Sequence, residues 1–143
     1  MPNRMPTDEQ QAQTPADAQT SILSEISNTM VRLHKEQFGR GPATAYTRWA
    51  GDDVLITILE NTLTLAERNM VKMGEHQRLR DTRMCFQHAT VREFCEPVEQ
   101  ITGRKIRSFL SAMDTETDGL STEIFILHPA GYDGPSRLDH AEP

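Results

Sequence analysis

The stretch Phe38-Gly39-Arg40-Gly41-Pro42 ends one kind of structure and starts another, and the rest of the chain is read outward from it. Gly39 tolerates the left-handed backbone that closes a helix, and Pro42, which has no amide proton, keeps the helix from resuming. Upstream, Ile22, Ile26, Met30 and Leu33 recur at helical spacing as one apolar stripe, with Ser24, Glu25, Arg32 and Lys35 on the other faces. Downstream, Thr44–Trp49 and Val54–Leu59 are rich in β-branched and aromatic residues. The turn-forming run Ala50-Gly51-Asp52-Asp53 separates them, so the pair reads as a β-hairpin.

Further along, Thr64-Leu65-Ala66-Glu67 has the capping-box pattern, in which the threonine hydroxyl and the glutamate carboxylate each satisfy an amide left open at a helix start. Gly74 breaks or hinges that helix. Leu79, Phe86, Phe94, Val98 and Ile101 then continue a helical pattern to Gly103, with Pro97 expected to kink or break it near Phe94. Lys105–Met113 alternates, with Ile106, Ser108, Leu110 and Ala112 on one side and Arg107, Phe109, Ser111 and Met113 on the other. Asp118-Gly119 marks a turn, and Leu120–Leu127 returns as a strand that ends at His128-Pro129. The expected class is therefore α+β, in the order α-β-β-α-α-β-β: two hairpins forming one four-stranded antiparallel sheet, with the helices packed on one face. Residues 1–19, interrupted by Pro2, Pro6 and Pro15, read as a disordered tail, residues 20–128 as a single domain, and residues 129–143 as a flexible tail that only Tyr132 and Leu138 would anchor.

A chain of 143 residues with 36% hydrophobic content supports one modest core. Its net charge of -6 disfavours nucleic acid and anionic bilayers as partners. No window is apolar for long enough to span a membrane, and Met1 to Thr20 lacks the apolar run of a secretory signal, so the expected location is cytoplasmic. Cys85 and Cys95, read as lying on one helix about 15 Å apart, are too distant to bridge and are expected to be buried thiols.

Arg40 is the sharpest candidate for function, because a guanidinium flanked by glycines can approach a carboxylate or phosphate closely. With Gly39, Gly41, Pro42, Arg78 and Arg83 it makes up the expected anion- or partner-binding site. The competing reading pairs Arg40 with an acidic residue of its own fold and gives the glycines only the turn. The basic surplus between Arg68 and Arg92 suits a solvated helix surface. Cys85 and His88 make a C-x-x-H fragment without a second half, Asp52-Asp53 is a turn pair, and Ser108 and Ser111 lack a base. No catalytic residue, metal site or cofactor is expected.

Ile26, Phe38-Gly39-Arg40-Gly41-Pro42, Asp53-Val54-Leu55, Leu63-Thr64 with Glu67, Gly74, Arg83 and Ile101-Thr102-Gly103 together resemble the MpsC-like family of small bacterial domains. The likeness spans about residues 21–127. The chain departs from the usual pattern at Glu60-Asn61, where a glycine is common, and at Pro97. The resemblance implies a soluble, non-enzymatic accessory protein of a sodium-translocating, membrane-potential-generating system, with no catalytic residues to carry over. The expected partners are a second copy of the chain, through apolar surface at Trp49, Ile56, Phe109 and Phe125, and a protein of a transport complex, without membrane insertion. A rival reading makes the Arg40 loop the anion-holding part of a small metabolite sensor or enzyme.

Overall fold

A computed structural model describes residues 15–140. In chain order they form α1 (Pro15–Phe38), β1 (Thr44–Trp49), β2 (Val54–Glu60), α2 (Leu65–Lys72), α3 (His76–Ala89), α4 (Val91–Thr102), β3 (Ile106–Asp114), β4 (Leu120–Leu127) and a final 3-10 turn, Arg137–His140. The α+β class and the two-hairpin sheet hold. The strand order is β1-β2-β4-β3, antiparallel throughout, so the hairpins join through their second strands.

The inward face of the sheet presents Leu55 and Leu59 of β2, Ile106 of β3, and Phe125 and Leu127 of β4. Ile26 and Met30 of α1 and Val91, Phe94, Cys95 and Val98 of α4 pack against them. Each fully buried large side chain in this layer contributes about 1.5–3 kcal/mol relative to exposure. Thr47 and Thr57, also buried here, are satisfied in a chain of hydroxyls running Ser27–Thr47 at 2.7 Å and Thr47–Thr57 at 2.9 Å, which ties α1 to β1 and β2.

Three expectations about these elements are corrected. The long second helical region breaks at Thr90 and not near Phe94, giving three helices between the hairpins. Thr90 turns both its amide and its hydroxyl back to the Phe86 carbonyl, at 3.0 and 2.6 Å, and so closes α3. Pro97 sits inside α4, where it removes one amide without ending the helix. Cys85 and Cys95 thus lie on different helices, and Cys85 is exposed. In β3 the register shifts between Ile106 and Ser108, so Arg107 bulges outward and Ile106 shares the inward face with Phe109. The uninterrupted alternation expected over Lys105–Met113 had put these two residues on opposite faces.

At the ends of the described segment two expectations change. Residues 1–14 of one expected tail and 141–143 of the other lie outside the described residues, and 15–19 belong to α1. The segment after β4 is anchored: Leu138 joins the core, Ser136 Oγ donates to Glu99 Oε2 at 2.6 Å, Arg92 donates to the Leu138 carbonyl at 2.9 Å, and Lys105 Nζ donates to the Gly134 carbonyl at 2.6 Å.

Among the described residues, no helix covers the outward face of the sheet. Across the strands it presents Tyr46, Ile58, Thr122 and Ala112 in one row, Arg48, Ile56, Ile124 and Leu110 in the next, and Val54, Ile126 and Ser108 in the third. Tyr46 and Leu110 are 40% and 49% exposed on the two edge strands. Of the four residues expected on such a surface, only Ile56 is there. Phe125 is fully buried, and Trp49 and Phe109 pack against the core on the helical side.

Candidate functional site

Gly39 ends α1 with φ 81°, its amide reaching the Lys35 carbonyl at 2.9 Å. Gly41 crosses the flank of α1, where an added Cβ would stand 3.4 Å from Val31 Cγ1. This turn aims Arg40 at the connection between β2 and α2, where Nη1 donates to the Leu63 carbonyl at 2.6 Å. Arg83, from α3, reaches the same connection. Its Nη2 donates to the Thr62 carbonyl at 3.0 Å, and its Nε and Nη2 engage both carboxylate oxygens of Glu67 at 2.6 and 2.7 Å. The guanidinium carbon also lies 3.9 Å from the centre of the Phe38 ring.

Glu67 completes the capping box, since Oε1 accepts the Thr64 amide at 2.8 Å and Thr64 Oγ1 accepts the Glu67 amide at 3.2 Å. Burial by itself pushes the Glu67 carboxyl up, but the Arg83 bonds and the Thr64 amide outweigh it and hold the group below the usual carboxylate range. The fold therefore brings Gly39, Arg40, Gly41, Pro42 and Arg83 around one connection, where the two arginines hold successive carbonyls. Arg78 stands elsewhere on α3, exposed, with Glu75 3.8 Å away.

Behind Phe38 lies a cavity of about 150 Å³. Phe94, Phe109, Met84 and Phe86 supply much of its apolar lining, with Met84 and Phe86 exposed, while His34 and Glu123 lie on its polar side. His34 Nδ1 sits 3.0 Å from the Met30 carbonyl, which can only accept, so Nδ1 carries the proton and Nε2 offers a lone pair. Nε2 faces Glu123 Oε1 at 3.6 Å. That distance suggests an ion pair, yet burial lowers His34 to about 4 and raises Glu123 to about 8, so both are neutral near pH 7. With both groups only 4–5% exposed, the neutral pair is the reading that fits the site. The Ser111 hydroxyl, opposite Glu123 across the strands, also acts on this carboxyl and pulls it down against burial, while Glu123 Oε2 and Gln37 Nε2 are sealed from solvent without a well-formed hydrogen bond among the described residues.

Neither His34 nor Glu123 was among the expected site residues, although both were signalled in the sequence. His34 continues the four-residue stripe Ile26–Met30, and Glu123 is in phase with Phe125 and Leu127 on a strand whose inward positions are buried. Cys85 and His88 are both exposed on α3. Burial pushes the Cys95 thiol up to about 12, so it stays protonated. Among the described residues, no three His, Cys, Asp or Glu side chains converge as metal ligands would.

Residues 18–129 match the model of the family described as "Na+-translocating membrane potential-generating system (MpsC)". No curated protein and no solved structure matches the chain.

Proposed function

The chain belongs to the MpsC family, and from that premise we propose that it works as a non-enzymatic accessory domain of a sodium-translocating, membrane-potential-generating system, docking through the open face of its sheet. The uncovered rows centred on Ile56, Ile58, Ile124 and Ile126 carry this reading. Four strands about 4.8 Å apart and about seven residues long give roughly 400 Å² in projection, the scale at which an apolar patch marks an interaction surface.

The occupant we propose is a second copy of the chain. The patch has an apolar centre, and its margins carry charges of both signs, Arg48 on β1 with Glu60 and Asp114 at strand ends, so two copies related by a two-fold axis can offset each other's rim charges. Two such faces bury on the order of 1,000 Å² together, the low end for a specific interface, which fits a reversible dimer. The same reading keeps the protein in the cytoplasm and beside the membrane through a protein partner. No described helix is long and apolar enough to cross a bilayer, and a net charge of -6 is repelled by anionic lipid.

Light scattering on the full chain over a concentration series tests the proposal. The expected result is a monomer–dimer equilibrium that Ile124→Glu shifts fully to monomer without changing the helical circular dichroism. A wild-type chain that stays monomeric at high concentration would overturn the dimer, and one that leaves sodium-dependent potential unchanged when removed from its cells would overturn the accessory role.

A further inference from the structure

The cavity behind Phe38 is a second site, independent of the open sheet face, and its rim carries a cation that the fold leaves unpaired. We propose that this site binds a small monocarboxylate, with its single-ring or branched apolar body in the cavity and its carboxylate on Arg80.

The cavity sets the body. Its volume of about 150 Å³ is that in which an apolar protein cavity accepts a benzene-sized guest. Phe94 and Phe109, with ring centroids 6.2 Å apart, and the edge-to-face pair Phe38–Phe86, at 5.4 Å, line it together with Met84. Such a wall suits a flat or branched hydrocarbon. Met84 and Phe86 are 46% and 41% exposed, so this apolar lining runs out to solvent on α3.

Arg80 sets the head. It stands one turn before Met84 on α3, is exposed, and lines both this cavity and an open hollow along β3. Nη1 donates to Thr115 Oγ1 at 3.2 Å and Nη2 to Gln77 Oε1 at 3.1 Å. Both acceptors are neutral, and Arg80 is in no ion pair among the described residues. The other charged groups at the cavity are already matched or silent: Arg83 is forked on Glu67, and His34 and Glu123 are neutral near pH 7.

The bonds to Thr115 and Gln77 hold the guanidinium in place before a guest arrives, which lowers the ordering cost of a new ion pair. A carboxylate can take a forked pair of its remaining N–H groups, whereas an ammonium guest would be repelled. Asp114 and Glu116 line the hollow beyond Arg80, so a single negative charge suits the rim better than a phosphate dianion.

The test is an NMR titration of the full chain with phenylacetate and with its uncharged isostere phenylacetamide, following methionine methyl and aromatic resonances. Phenylacetate is expected to saturate one site around Met84, Phe94 and Phe109 and to bind more tightly than the amide. Arg80→Gln is expected to lower the ratio of the two affinities about fivefold, the upper end for a solvent-facing ion pair, while Arg80→Lys, which keeps the charge, retains most of it. Absence of saturable shifts with phenylacetate overturns the proposal, as does a ratio that Arg80→Gln leaves unchanged or that Arg80→Lys loses as fully as Arg80→Gln. A salt series on the wild type needs no variant: from about 20 to about 500 mM sodium chloride, phenylacetate should weaken and phenylacetamide should not, and equal responses would overturn the assignment of the head to Arg80.

Discussion

Replacing Glu123 with glutamine should remove a specific pH dependence from the stability of this protein. Glu123 is pushed from an ordinary value of 4.5 up to about 8, chiefly by burial. Above pH 4.5 the unfolded chain has released this proton while the folded one retains it, so each rise in pH favours the unfolded state by about 1.4 kcal/mol per unit until the folded group ionises. His34 works in the opposite direction. Lowered from 6.5 to about 4, mainly by burial, it stays neutral in the folded state while the unfolded chain binds a proton, so its contribution is lost as pH falls through that window.

Between about pH 4.5 and 6.5 the two slopes cancel, and above 6.5 only Glu123 acts. Integrating from pH 6.5 to 8.5 gives a loss of about 2 kcal/mol in the wild type that Glu123→Gln lacks. Urea unfolding at half-unit pH steps measures it as the difference between the two curves, which cancels every group they share. Parallel curves from pH 6.5 to 8.5 would show that Glu123 ionises as an ordinary carboxyl and would refute the neutral-pair reading.

Two further perturbations probe the connection between β2 and α2. Arg83→Leu leaves the Glu67 carboxylate buried without its fork of bonds and should cost about 3–5 kcal/mol, whereas the double variant with Glu67→Leu should regain a large part of that in denaturant titration. Gly119→Ala combines φ 70° with a Cβ that would stand 2.7 Å from Leu63 Cγ, so its thermal midpoint should fall further than that of Gly51→Ala, where φ is 83° but the space is open.

Much of the fold could be read from local signals. The Thr64–Glu67 capping box, the Gly74 break and both hairpins depend on neighbours a few residues apart, and the structure contains each of them. What escaped was decided across the molecule. Thr90 carries no strong stop signal, and the bulge at Arg107 is set by pairing with β4. A period-two reading could not have anticipated it. The open face escaped for the same reason: with no strand order, Trp49, Phe109 and Phe125 looked as available for contact as Ile56. At the candidate site, the Gly39–Pro42 turn was legible as a turn. The Leu63 and Thr62 carbonyls that Arg40 and Arg83 hold were not, because no side-chain pattern reveals a backbone acceptor, and the Arg83–Glu67 pair joins residues sixteen apart on different helices.

The order β1-β2-β4-β3 also bears on how the molecule assembles. Each hairpin closes over a short turn and can zip in microseconds, but uniting them means closing a loop that contains α2, α3 and α4. Until that happens, Val54–Glu60 and Leu120–Leu127 are both unpaired sheet edges, each rich in isoleucine and leucine. A newly made chain is then most at risk of sticking to its neighbours, and whatever speeds the gathering of those three helices guards it during synthesis.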